Sequence, residues 1–502
     1  MEGLVAAIPI LWMVFELGFI KKSSTLKVSI HTILLTIALA IFGWKMPVND
    51  ILMASVEGAL MAIWPISVVV IAAIFLYNIC DETGYLAIIR TGITAVSRDE
   101  YMIVLIVVWG FGSFIEGIAG FGTSIAVSST MLYLLGFPPF LSALLAIVAN
   151  PISSVFGSLG VQMPTLAKVT GLPAENLAIN SVYVMIPLVL CTPFLLIHLT
   201  RKGLRTNKPT PQIWGAALLS GIAFSITLYV VVRYVSSDLA GVLGALAAML
   251  ILILSSFLIK SIDQERKINL NEQIIAWAPF ILCFVLLLGT SKVNATVYSY
   301  LSAATISIEL PIGNSVSVLN ISVLQNATIW IFLAGIIGGL IQRASINDLV
   351  RVFIRSVRQM LSTVITLVLL LAISRVMYHS GMIITLAQFM VGIFGLYYIL
   401  IVPILGSIGA FITGSATSAN VLLGRLQVEI ANSLTFDPSY FMGLSIVGGT
   451  VGKMISPQNI AIGLVGVSLS TQENKMFLSV TKWYILYIAI ITLSNLMLLV
   501  LR

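Results

Sequence analysis

Glu116 stands in GFGSFIEGIAGFGTS (110–124), a stretch with five glycines inside a long apolar run. A carboxylate at membrane depth costs roughly 3 kcal/mol or more, so such an acid is a functional candidate by default, above all as a carrier of protons. Three further stretches combine helix-breaking and polar residues. NPISSVFGS (150–158) supplies Asn150, and TGSATSAN (413–420) supplies Thr413, Ser415, Thr417, Ser418 and Asn420. GGTVGKMISPQN (448–459) supplies Lys453, Ser456, Gln458 and Asn459. Hydroxyls and amides replace the hydration of a small carboxylate or hydroxyl without adding fixed charge, and an ammonium is a natural partner for an anion. Gly117, Gly120, Gly122 and Thr123 complete the candidate substrate contacts, because backbone N–H groups freed at a half-helix start attract anions. For Glu116 two readings stay open: a proton-coupling acid, or a structural pair with a buried base such as Arg375 or Lys453. For Lys453 they are substrate binding and snorkelling to the interface.

Positioning these groups falls to a membrane fold. Of the 502 residues 59% are hydrophobic and 9% charged, with mean hydropathy +1.09. A soluble chain carries about 25% charged residues. Many runs reach the roughly 20 apolar residues that cross a bilayer, whereas a barrel needs alternating strands of about 10. The chain therefore reads as an all-α polytopic protein, multi-pass in the plasma membrane. Its net charge of +7 sits in short loops, which fits the positive-inside rule and predicts no nucleic-acid partner. Cys80, Cys191 and Cys283 form no pair by spacing. The run 3–20 lacks a small-residue cleavage site and reads as a retained span.

Roughly 12–14 apolar segments follow, near 3–20, 26–44, 59–79, 101–118, 140–161, 174–200, 212–234, 238–259, 274–290, 327–344, 361–378, 397–414, 440–462 and 476–500. Basic clusters at Lys21–Lys27, Arg90–Arg98, Arg201–Lys208, Lys260–Lys267 and Arg343–Arg358 predict five cytoplasmic loops and an external N-terminus. Segment 291–326 then lies outside. Its triplets at Asn294, Asn320 and Asn326 match the glycosylation pattern, although chance in a Ser- and Asn-rich loop produces the same. Glu16, His31, Glu57, Arg233, Arg375 and His379 are expected to be interfacial or paired.

The sequence also repeats. TGYLAII (83–89) matches SGMIITL (380–386) at an offset of 297, and GSFIEG (112–117) matches GAFITG (409–414) at the same offset. AIVANPI (146–152) then matches SIVGGTV (445–451) at 299. Arg90 and Arg98 have no basic counterpart in the second copy, so the two copies face opposite sides. The expected organisation is a first repeat over 1–205, a linking helix pair over 206–272 and a second, inverted repeat over 273–502, with re-entrant hairpins and broken helices. Such inverted repeats place a transported substrate near the midplane.

No G-x-x-x-x-G-K-[ST] loop, H-E-x-x-H or G-x-S-x-G is present, so neither ATP-driven pumping nor hydrolysis is supported and no enzyme is predicted. No cofactor and no metal site is predicted. TGSATSAN is not a potassium filter.

These stretches resemble the L-lactate permease family. The matching residues are PIL (9–11), KMPV (45–48), FIEGIAGFG (114–122), SGM (380–382), FITGSATSAN (411–420) and GKMISPQNIAIG (452–463). The resemblance implies a proton symporter of 2-hydroxymonocarboxylates, L-lactate or glycolate, on a fold grouped with inverted-repeat transporters, many of which use an elevator motion. Ala416, Ala419, Ser445–Val447 and Thr123–Ser124 depart from the family pattern. On this reading Glu116 carries the coupling proton, one per monoanion, while the 413–420 and 453–459 breaks hold the substrate. A sodium-coupled carrier of another small carboxylate and a passive organic-anion channel are the alternatives. A homodimer is among the assemblies this reading allows.

Overall fold

The computed structural model describes residues 2–19, 25–94, 96–120, 122–204, 208–259, 269–291, 293–302, 305–313, 315–469 and 472–500. Lys21, Lys22, Arg205, Lys260, Arg266 and Lys267 of the basic clusters, and Phe121 of the first glycine-rich stretch, lie outside the described residues. Among the described residues ten helices are long and apolar enough to cross a membrane, and four shorter apolar ones accompany them.

The first half begins with α1 (Glu2–Phe19) and α2 (Thr25–Phe42), followed by α3 (Val48–Met61) and α4 (Val68–Glu82). The expected span 59–79 is part of the rod that α3 and α4 form, which kinks where Trp64 leaves helical geometry at φ −119° and ψ 126°. Trp64 precedes Pro65, and a residue before proline is pushed to extended backbone. The short amphipathic α5 (Tyr85–Thr94) comes next. Then α6 (Glu100–Val104), a π-helical segment Leu105–Gly112 and α7 (Ser113–Ile118) form one arm of a hairpin whose return arm is α8 (Thr123–Leu134). Asp99 caps this hairpin's start by accepting from the N–H groups of Tyr101 and Met102. α9 (Pro139–Ser154), the single turn α10 (Gly157–Gly160) and α11 (Gln162–Thr170) make a broken helix, and α12 (Ala174–Leu204) closes the half.

α13 (Pro211–Tyr234) and α14 (Ser237–Leu258) link the halves and pack on α12 and α7. The second half holds α15 (Leu270–Gly289), α16 (Ala295–Ser302), an antiparallel hairpin of β1 (Thr305–Ile312) and β2 (Ser315–Ser322), and α17 (Ala327–Ile341). The expected span 361–378 is the latter part of the 34-residue α18 (Ile346–His379). After α19 (Met382–Phe394), a second hairpin joins α20 (Tyr398–Thr413) to α21 (Ala416–Ser433). The expected span 440–462 divides into α22 (Pro438–Lys453) and α23 (Pro457–Val465), because Pro457 has no N–H to continue the ladder. α24 (Glu473–Val500) ends the chain's described part.

Several packings of one half recur in the other. α1 packs on α19 as α15 packs on α5, and α2 packs on α18 as α17 packs on α4. Gly84 before α5 and Gly381 before α19 are both left-handed, at φ +78° and +88°. So are Gly136 before α9 and Thr435 before α22, at φ +90° and +57°. This reciprocity is what two copies about a pseudo-two-fold axis produce. The second hairpin docks tightly on α22: a Cβ at Gly448 or Gly452 would fall 2.1 Å from the carbonyl oxygen of Pro403 or Ser407. Backbones that close need small residues on the contact line.

Candidate functional site

Both hairpins turn at left-handed glycines, and each turn rests on the broken helix of its own half. In the first, Gly120 and Gly122 have φ +65° and +79°. A Cβ on Gly120 would lie 2.0 Å from Ser158 Oγ, beside the α10 break. In the second, Gly414 has φ +70°, and its Cβ would lie 2.1 Å from Gln458 Oε1, beside the α22–α23 break. The first break is backbone of an uncommon kind: Ser158, Leu159 and Gly160 follow one another at φ +50°, +53° and +65°. For the two non-glycines this costs about 1–2 kcal/mol each. Ser158 Oγ donates to the carbonyl of Ala119 at 2.9 Å, fastening the break to the first hairpin.

Where the breaks converge lies a buried ion pair. Lys453 Nζ is 2.8 Å from Glu116 Oε1, and the two residues are 5% and 1% exposed. The structural partner of Glu116 is thus Lys453, and Lys453 does not snorkel. Ser154 Oγ sits between them, 2.7 Å from Glu116 Oε1 and 3.0 Å from Lys453 Nζ. The hydroxyl accepts from the ammonium and donates its one proton to the carboxylate, with Asn150 Oδ1 as an alternative acceptor at 3.0 Å. Ser124 Oγ donates to Glu116 Oε2 at 2.9 Å and accepts from Asn150 Nδ2 at 2.8 Å. Four elements contribute: α7 the acid, α8 Ser124, α9 both Asn150 and Ser154, and α22 the ammonium.

Asn459 adds an unfilled acceptor. Its Nδ2 donates to the Lys453 carbonyl at 2.7 Å, which fixes the amide's orientation, and its Oδ1 is buried without a hydrogen-bond partner among the described residues. That oxygen faces the first hairpin's turn, 2.9 Å from where a Cβ of Gly122 would be. Buried polar atoms are nearly always paired, so this one marks a place where a ligand donor fits.

The remaining expected residues divide. Ser456 caps α23 by accepting from the Asn459 N–H, and Gln458 is an exposed residue against Gly414. Thr123 opens α8, its N–H bonded to Gly120 O. In the second hairpin Thr413 Oγ1 donates to backbone, Ser415 caps α21 by accepting from the Ser418 N–H, and Thr417 is half-buried. Asn420 bonds Ala416 O and Ser445 Oγ. These groups shape the second turn rather than ring the ion pair. Gly117 faces α14, with Val242 N 3.1 Å from its would-be Cβ. Ser124, Ser154 and Ser158 were not among the expected ligands. A signal for Ser154 existed, since the repeat register sets it opposite Lys453.

The other charged residues expected to be interfacial or paired have partners elsewhere. Glu57 on α3 holds Arg375 and His379 of α18 and accepts from Ser317 of β2. Glu16 pairs with His31, and Arg233 with Glu175. Asn326 caps α17 by accepting from Thr328, and Asn294 accepts from the Val297 N–H, so both triplets have local structural work.

Comparison with known proteins bears on these elements. The family described as L-lactate permease matches residues 2–502. An L-lactate permease of Streptococcus iniae is 34% identical, over 90% of this chain and 95% of its own. An L-lactate permease of Bacillus subtilis is 29% identical, over 95% of this chain and 92% of its own. The glycolate permease GlcA of Escherichia coli is 28% identical, over 99% and 95%.

Proposed function

Because this chain belongs to the L-lactate permease family, we propose that it is a secondary transporter of small 2-hydroxymonocarboxylates, L-lactate or glycolate, moved by proton symport. It is a multi-pass membrane transporter, not an enzyme. The observation that carries the coupling is the Lys453–Glu116 pair at 2.8 Å, buried where both repeats break.

Charge balance supplies the mechanism. Empty, the site is neutral, with Lys453 countered by Glu116. A monoanion bound at Lys453 beside an ionised Glu116 leaves one net negative charge in a buried place, which is strongly disfavoured. A proton on Glu116 removes that charge and frees the ammonium for the substrate carboxylate. The protonated acid keeps its contacts, because the hydroxyls of Ser124 and Ser154 accept as readily as they donate. One proton then accompanies one monoanion, and the loaded site is neutral again. Asn459 Oδ1 takes the substrate's 2-hydroxyl, which separates lactate and glycolate from unsubstituted acids.

The test is uptake by proteoliposomes of L-lactate, glycolate and propionate, with imposed pH or sodium gradients. Glu116→Gln is expected to abolish pH-driven uptake while leaving substrate exchange largely intact. Unchanged pH-driven uptake by that variant would sink the proton role. Uptake that follows sodium alone would point to the sodium-coupled carrier.

A further inference from the structure

Beyond the α10 break, on the side away from the ion pair, lies a cavity of about 590 Å³. Its wall includes Trp64, Leu159, Lys168, Arg233, Asp238 and Tyr298. It lies at the α13–α14 turn and the start of α12, whereas the basic 201–208 loop joins the opposite ends of α12 and α13. By the positive-inside rule that loop is cytoplasmic, so the cavity belongs to the external face.

Its inner end meets the transport site. Leu159 lines the cavity, while the preceding Ser158 is bonded to Ala119 of the first hairpin. Gly160 abuts α14 so closely that a Cβ would fall 2.5 Å from Ser237 O. The left-handed run Ser158–Gly160 is therefore a thin partition. On its other side a Cβ at Gly157 would be 3.7 Å from Glu116 Oε1.

Of the four charged residues on the cavity wall, Lys168 and Asp238 have no ion-pair partner among the described residues. Arg233 is held by Glu175 at 3.0 Å. Asp238 lies in the first turn of α14, where helix N–H groups and the dipole favour a carboxylate, and its own N–H is capped by Ser236. Lys168 on α11 is half-buried, and among the described residues no hydrogen bond or ion pair satisfies it. An ammonium held in a concave, low-dielectric wall focuses its field into the cavity and concentrates anions there.

We propose that this cavity is an external vestibule for a small carboxylate, in which Lys168 holds the anion before it passes the Ser158–Gly160 partition to Lys453. The proposal rests on the carboxylate-transporter reading above. Lys168 is a relay charge: it takes the anion from water and gives it up to a second ammonium within the protein.

The experiment uses the full chain lacking Cys80, Cys191 and Cys283 and keeping Lys168, with Tyr298→Cys on the cavity wall labelled from outside by an anionic methanethiosulfonate. L-lactate is expected to slow the labelling, and chloride at equal concentration is not; equal rates with and without L-lactate would overturn the vestibule. In parallel, Lys168→Met is expected to raise KM for external L-lactate about tenfold or more. Lys168→Arg, or attaching a cationic reagent to Lys168→Cys, should restore it. An unchanged KM in Lys168→Met would equally overturn the proposal. Protection by L-lactate in a protein that moves no carboxylate would uphold the vestibule and sink the transport reading instead, so the two failures are distinct.

Discussion

Replacing Lys453 and Glu116 singly and together tests the central pair. At 2.8 Å two unit charges attract by about 6 kcal/mol at an effective dielectric constant of about 20. Withdrawing both from water offsets most of that, so the intact pair contributes little net stability. Losing one partner is another matter, because the survivor stays buried at 5% or 1% residue exposure with its desolvation uncompensated. That situation costs about 3–5 kcal/mol. Glu116→Gln should therefore be markedly less stable, since the lysine left behind has no counter-charge. Lys453→Met should fall less at low pH, where the stranded carboxyl takes a proton. The double variant, with no charge to strand, should recover most of the loss. The assay is the fraction of purified protein that stays monodisperse in detergent after heating, across a temperature series. A double variant as unstable as the sum of the singles would refute the pairing argument. Transport should separate the singles again: Lys453→Met loses exchange as well as uptake, whereas Glu116→Gln keeps exchange.

Three other outcomes follow from the same structure. Asn459→Ala should narrow the preference for L-lactate over propionate by roughly tenfold, the worth of about one hydrogen bond, as read by competition in uptake. Gly452→Ala should lower thermal stability by about 1–3 kcal/mol, because its Cβ would lie 2.1 Å from Ser407 O, whereas Gly215→Ala, with nothing within 4 Å, should not. Arg375→Met leaves Glu57 buried with His379 as its one basic partner among the described residues, beside the Ser317 hydroxyl; it should cost stability on heating while KM for substrate in the surviving protein stays at the wild-type value.

The repeat register, the four broken stretches and the buried acid were legible because glycine, proline and charge stand out against an apolar background. The return arms of the hairpins were not. α8 is only 12 residues long, and α21 carries Arg425, Gln427 and Glu429, so neither passes for a span by hydropathy. Which base meets Glu116 was likewise beyond reach, as Lys453 lies 337 positions away and only the fold chooses it over Arg375. The β hairpin did leave a trace: Ser315-Val316-Ser317-Val318 alternates with period two inside a segment dominated by loop-forming residues.

Ser154 and Lys453 end equivalent helices in the two halves, and their tips stand 3.0 Å apart on one carboxylate oxygen. The two positions are alternative addresses for one positive charge. A chain with lysine at 154 and serine at 453 would present the same ammonium to Glu116 from the opposite half.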